Sequence, residues 1–410
     1  MVSNAQQEER QRLRLARMAV DIFFFLNGVM TATFSARLPA IQMRLALSPG
    51  QLGLALLGCT IGGLFAMNIA GRMSSRFGSK VITTIAASGM CISLPLIALA
   101  PTLPLFLLTL VFFGAGSGAM DVTMNLQGTD VERGYGRPIM NSFHAYFSVG
   151  SLAGAALGSI LAAFNVKPEL HFFAITIVAC VVLVWSSRLL LSAKQEQMVQ
   201  KQPVQKALSL QISPALMLLG VIAFCSLLSV GTLFDWSAVY LSGTLHTGAG
   251  LAAAGFTTFL VCMTIGRSIG DSLATRFGAT VLVRISCLLA AIGLALALVI
   301  AWVPAAFFGL ALVGVGLSVP FPLVMSAAGR LARRDKGSIL AIVTTWGYFG
   351  MIAGPPVIGF IADRAGMRLA LAPVVFLCVL AVLCAPAVST ATVKEDGGSL
   401  QDCEPASSLM

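Results

Sequence analysis

The chain has 410 residues, of which 57% are apolar and 10% charged, and its mean hydropathy is +0.91. A soluble domain carries about 25% charged residues, so this composition excludes a water-soluble globular enzyme and demands surface that faces lipid. The net charge of +10 would suit nucleic acid, but the basic residues sort to one side of the expected membrane, so the expected partner is the lipid bilayer and no nucleic acid.

About 20 apolar residues carry a helix across the hydrocarbon core. Twelve stretches qualify, at 18–37, 50–71, 80–100, 104–127, 138–164, 169–191, 213–242, 248–271, 280–301, 304–328, 338–362 and 368–389. The runs are continuous rather than alternating, which excludes a β-barrel. The expected fold is an all-α membrane protein of twelve transmembrane helices in two pseudo-symmetric six-helix bundles. Its parts are a cytoplasmic N-terminal segment (1–17), a first bundle (18–191), a polar cytoplasmic loop (192–212), a second bundle (213–389) and a cytoplasmic tail (390–410). Twenty lysines and arginines fall on the side of the central loop and five (Arg37, Arg44, Lys167, Arg364, Arg368) on the other, an asymmetry that sets both termini in the cytoplasm. No cleavage site follows the first run, so it reads as a span rather than a signal peptide. The nine cysteines are scattered without Cys-x-x-Cys spacing, and neither a metal, a disulfide framework nor a cofactor is expected.

Ionisable groups inside a bilayer cost about 2.5–3.5 kcal/mol each on insertion scales, so each is a functional candidate. In span one, Asp21 lies one turn beyond Arg17 and can neutralise it. In span four, Gly114, Gly118, Asp121 and Asn125 share one helical face, where the glycines admit a neighbour and the carboxylate and amide point the same way. Counting from the turn near Tyr135, His144 of span five lies level with Asn125 and Asp121 about 6 Å above. An acid within reach of an imidazole can share a proton. The group reads as a proton- or polyol-binding cluster, or as a hydrogen bond that ties spans four and five. Asp235 and Trp236 in span seven, with Tyr240 a turn on, suit a sugar, polyol or amine, or else an interfacial aromatic belt. Arg267 and Asp271 in span eight are spaced to pair along their helix as a gate. Pro320 and Pro322 interrupt span ten, and Gly354, Pro355 and Pro356 interrupt span eleven, as broken helices do beside a transport cavity. Trp346 and Tyr348 lie at similar depth and are candidate cavity aromatics or ordinary packing. Gly114 to Gly118 is no phosphate loop, because no strand precedes it and no Gly-Lys-Ser/Thr follows. No His-Glu-x-x-His appears either, and no loop reaches the size of a catalytic domain, so the chain is not read as an enzyme.

Arg76-Phe77-Gly78 recurs as Arg276-Phe277-Gly278, 200 positions on and at the matching place in each half. A membrane chain repeated at half its length suggests two bundles around one site, the plan of many secondary transporters. The first copy, Gly71-Arg72-Met73-Ser74-Ser75-Arg76-Phe77-Gly78-Ser79-Lys80, resembles the signature loop of the major facilitator superfamily, Gly-x-Leu-x-Asp-Arg-x-Gly-x-basic. Ser75 stands where that loop has its acid, so the cytoplasmic latch which the acid forms in the family is not expected at this position. The resemblance makes Arg76 and Arg276 candidate gating residues. Phe23 to Gly28, Ala36 to Ile41, His144 to Gly150, Asp235 to Leu241 and Gly350 to Gly359 are similar to the branch related to fucose–proton symporters. That adds Asn27 and Tyr146 as binding candidates and Arg37 as a gating candidate. The acid many relatives carry five residues before the Asp-Trp pair is Val230 here, so its coupling role does not transfer. The resemblance implies a transporter in a bacterial cytoplasmic membrane that moves a small polar solute, a sugar, polyol or aminocyclitol, with protons by alternating access. A metabolite or drug exporter is the second reading, although Gly150 to Ala163 lacks the proline of drug antiporters. A non-transporting membrane sensor is the third.

Overall fold

A computed structural model describes residues 4–136, 139–192, 213–331 and 336–390. In chain order the helices are α1 (Asn4–Arg44), α2 (Pro49–Phe77), α3 (Ser79–Leu99), α4 (Leu103–Tyr135), α5 (Met140–Ala163), α6 (Pro168–Ser187), α7 (Pro214–Gly243), α8 (Ala249–Phe277), α9 (Ala279–Ile300), α10 (Val303–Leu317), α11 (Pro320–Leu331), α12 (Lys336–Cys384) and α13 (Ala387–Thr390). The polar loop and the tail of the sequence reading lie outside the described residues, apart from Ser192 and Thr390. Residues 4–17 of the N-terminal segment are already part of α1.

Local chemistry sets the helix boundaries. At the start of α2 the Gln51 N–H donates to Ser48 Oγ (3.2 Å) and the Ser48 N–H to Gln51 Oε1 (3.0 Å), a capping box with Pro49 at the first helical position. Ser213 caps α7 in the same way through the Leu216 N–H (3.2 Å), again followed by proline. The repeated Arg-Phe-Gly ends α2 and α8. Gly78 and Gly278 take φ of 83° and 81°, a backbone region that a Cβ disfavours, and α3 and α9 begin at the next residue. The repeat is therefore, at minimum, the same abrupt helix-to-helix joint made twice.

Eleven helical segments among the described residues are long and apolar enough to cross a membrane. The twelve expected spans differ from this at the C-terminal end, where the stretch at 338–362 and most of that at 368–389 fall within the single 49-residue helix α12. Its one non-helical residue is Gly366 (φ 81°). Gly350 packs on Phe224 and Leu228 of α7, and Cys378 Sγ lies 3.9 Å from Ser229 Oγ of the same helix. The chain therefore doubles back at Gly366. The interruption expected at Gly354, Pro355 and Pro356 is not there, because all three stay helical. Span ten does break, between Leu317 and Pro320, where α11 starts on the proline's preset φ.

Without a hydrophobic drive between helices in lipid, close contact supplies the cohesion. Gly150 and Gly154 of α5 sit against the carbonyls of Phe25 and Val29 of α1. Gly62, Gly114 and Gly118 bring α2 and α4 backbone to backbone, and Gly293 and Gly309 do so for α9 and α10. Large apolar side chains such as Phe65, Ile85, Phe112, Val181 and Phe376 point outward.

Hydrogen bonds sort the helix termini into two ends. At the near end, which holds the start of α1, Lys80 Nζ donates to Arg188 O (3.1 Å) and Gln127 Nε2 to Leu191 O (2.9 Å). At the far end Arg44 pairs with Glu169 (3.1 Å) and Arg368 Nε donates to Leu298 O (2.9 Å). Helices α1–α6 meet α7–α13 chiefly through α2 on α12, α5 on α8, and α1 on α7 and α8. The three hydrogen bonds between described residues that join these two sets all lie at the far end.

Candidate solute site between the two helix sets

The shared face of α4 is built as its spacing implies. Gly114 rests on the Cys59 carbonyl and Gly118 on the Gly63 backbone, which turns Asp121 and Asn125 toward the molecule's interior beside α2. Asn125 Nδ2 donates to the Asp121 carbonyl (2.7 Å) and to its Oδ1 (3.3 Å). Both side chains are half-buried. Asn27 of α1 is buried and accepts from Ser117 (3.4 Å) and Thr31 (3.4 Å), so it ties α1 to α4 rather than standing open.

His144 does not join this cluster. Helix α1 packs along both α4 and α5, which barely touch each other. The imidazole meets the edge of Phe24, ring centroids 5.1 Å apart, and no hydrogen bond links it to Asp121 or Asn125. A third helix, α1, stands between His144 and the α4 pair.

Three pairs instead lie within electrostatic range of each other across the two sets. Tyr348 of α12 lies within electrostatic range of Asp121 on α4. Arg267 of α8 stands in the same relation to His144 on α5, and Asp235 of α7 to Cys59 on α2. His144 and Arg267 are exposed, while Asp121, Asp235 and Tyr348 are half-buried. The arrangement offers carboxylates, a phenol, an imidazole, an amide and a guanidinium to whatever occupies the space between the sets.

Several sequence candidates point elsewhere. Trp236 is fully buried (0% exposed) in the core, its indole N–H unpartnered among the described residues. Tyr240 donates to the Ala297 carbonyl (2.7 Å), a structural tie. Tyr146 lies on the outward face of α5 with Val149, Leu157 and Ile160, and Trp346 shares the exposed stripe of α12 with Phe349, Val357 and Phe360. Helix rotation, which depth counting does not give, separates Trp346 from Tyr348.

The gating candidates also divide. Arg267 and Asp271 make no ion pair, although their spacing permits one. Asp271 instead lines a near-end cleft of about 410 Å³ that also holds Pro322, Ser326 and Arg330. Arg76 and Arg276 are exposed, each folded over the ring of the next residue (5.2 and 5.4 Å to Phe77 and Phe277). Ser75 Oγ donates to the Arg72 carbonyl (2.7 Å) and Thr275 Oγ1 to that of Asp271 (2.9 Å), so the hydroxyls at the acid position stay on their own helices. Arg37 is buried at the far end, where its guanidinium donates to the Val166 carbonyl.

One residue with a clear structural task is absent from the sequence reading. Asp363 of α12 accepts from the Gly50 N–H (2.9 Å) and from Ser48 Oγ (3.1 Å), capping the N-terminus of α2 across the two helix sets. The signal was present: Gly359-Phe360-Ile361-Ala362-Asp363-Arg364-Ala365-Gly366-Met367-Arg368 matches the superfamily loop with its acid in place. Close by, Gly53 meets the Pro355 carbonyl and Gly359 that of Pro49. Ser159 Oγ donates to the Gly250 carbonyl (3.0 Å) where α5 crosses α8.

Comparison with known proteins agrees with this architecture. The sequence profile of the Major Facilitator Superfamily matches residues 20–355 and 219–404. The chain is 34% identical to the uncharacterized transporter y4wD of Sinorhizobium fredii, over 92% of this chain and 99% of that one. It is 32% identical to an uncharacterized MFS-type transporter of Yersinia pestis (92% and 95% covered) and 30% identical to the membrane protein MosC of Rhizobium meliloti (91% and 89%). Among solved structures it resembles the nucleoside transporter NupG, with a TM-score of 0.71, 12% identity and coverage of 92% and 100%. It also resembles a bacterial homologue of the human lysosomal transporter Spinster, inward-facing and occupied, with a TM-score of 0.69, 14% identity and coverage of 92% and 97%. At these identities the structures speak for the fold, and the profile and relatives for the family. This chain is a membrane transporter that belongs to the Major Facilitator Superfamily.

Proposed function

We propose that the protein is a secondary-active carrier that moves a small hydroxylated solute by rocking two six-helix bundles about the space between them. Counting the two limbs of α12 separately gives twelve crossings. A single straight helix of 49 residues would run about 74 Å, more than twice the bilayer core. The charge asymmetry supports a bacterial cytoplasmic membrane with both termini inside, which makes the far end the outer one. The observation that carries the reading is the set of three pairs in electrostatic range across the two sets, together with an interface whose hydrogen bonds between described residues all lie at the far end. That is the contact pattern of a carrier shut outside and free to part inside.

Asp121 is the proposed proton carrier, a half-buried carboxylate whose side chain has Asn125 as its only hydrogen-bond partner among the described residues. Asn125, Tyr348 and His144 supply hydrogen bonds for hydroxyls, and Trp236 packs rather than binds. A solved neighbour that is a nucleoside transporter supports a hydroxylated cargo. The test begins with a thermal-shift screen of purified protein against sugars, cyclitols and their acid and amine derivatives, because a ligand of the folded state raises its melting temperature. The solute found is then offered to proteoliposomes with an imposed proton gradient. Saturable uptake above equilibrium is expected. Binding without any flux would replace the carrier by a sensor.

A further inference from the structure

Among the described residues Arg267 has no counter-charge, although it sits well inside α8 and an acid lies one turn on. Buried Phe256, Leu260 and Met263 precede it eleven, seven and four residues back, on the face of α8 that looks into the molecule, while Leu251, Ile265 and Ile269 form the exposed face opposite. The guanidinium is nevertheless exposed. On this face its exposure is to the space between the helix sets and not to lipid. Between described residues it makes no ion pair and no hydrogen bond, and Asp271 lines the near-end cleft. Its neighbour across the space is His144, which can donate but does not neutralise it.

A guanidinium held within a membrane domain, exposed and unpaired among the described residues, is a ready site for an anion, since its fork matches two carboxylate or phosphate oxygens. We infer that Arg267 is a specificity-determining residue that binds an anionic oxygen group, so that the solute is a hydroxylated acid rather than a neutral sugar or an amine. This rests on the carrier reading above and narrows it. Tyr348, Asn125 and His144 address the hydroxyls, and Arg267 the acid. Arginine fits where lysine would serve less well, because the bidentate fork fixes orientation as well as charge.

The test uses full-length protein in detergent and matched probes: D-gluconate against D-glucitol, D-glucose 6-phosphate against D-glucose, and D-glucosamine as a cation. The inference expects an anionic probe to raise the melting temperature of the wild type while its neutral partner does not, and the better of the two acids distinguishes carboxylate from phosphate. Arg267→Gln should weaken that probe by about tenfold or more, the loss of a charge-assisted contact. Arg267→Lys, which keeps the charge if the glutamine variant does not fold, should retain the preference for the acid with weaker binding. Stabilisation by the neutral or cationic probes alone, no response to either acid, or an Arg267→Gln variant that responds like wild type would each overturn it. Acid binding that depends on Arg267 without flux would remove the carrier reading and leave this inference standing. Flux of a neutral solute with no acid bound would do the reverse.

Discussion

Asp121→Asn is expected to abolish solute accumulation driven by a proton gradient while leaving exchange of solute across the membrane intact. Asparagine keeps the shape and the contact with Asn125 but has no proton to release. In the wild type the carboxylate faces the inter-bundle space with Tyr348 of the other helix set in range. A proton on Asp121 therefore changes the charge that α12 meets when the bundles rock. Uptake into proteoliposomes, with and without an imposed pH difference, separates the two activities. If Asp121→Asn still concentrates solute and Asp235→Asn does not, coupling belongs to the acid on α7. If neither variant alters accumulation, protons are not coupled through this space.

The second large effect is conformational. Asp363→Ala removes both acceptors from the α2 N-terminus, leaving the Gly50 N–H and Ser48 hydroxyl without their partner from α12. Hydrogen bonds to a carboxylate and its attraction to a helix N-terminus hold the far end shut, and their loss should shift the carrier toward far-end opening by roughly tenfold. Spin labels placed at the far ends of α2 and α12 report the change as a longer distance population. An unchanged distribution would mean that the backbone contacts at Gly53 and Gly359 close this end unaided.

The helices were largely legible in the sequence, for physical reasons. Runs of about 20 apolar residues have one stable form in lipid, and the glycines at 114 and 118 announced a close approach that α2 in fact makes. The Asp121–Asn125 contact followed from helical spacing alone. What failed needed knowledge of rotation and of third parties. His144 and Asn125 were level, yet α1 runs between them. Trp346, chosen by depth, and Tyr146, chosen by resemblance, lie on exposed faces of their helices, and Trp236, next to Asp235, turned into the core. The reversal at Gly366 was placed correctly as a gap between two spans, while Pro355 and Pro356, which look like a break, stay helical. Asp363 was missed because the loop motif was sought at the repeat copies on the near end, where Ser75 and Thr275 have lost the acid. The complete copy lies at the far end.

A bridge at the far end tests the rocking mechanism most directly. In a background with the native cysteines replaced, Ser48→Cys and Asp363→Cys are joined by a short thiol-reactive linker, across a gap now spanned by a 3.1 Å hydrogen bond. Carriage by alternating exposure predicts that the bridged protein still binds solute from the near end but carries none across, and that cleaving the linker restores flux. Transport at the unbridged rate with the far end covalently closed would contradict the mechanism.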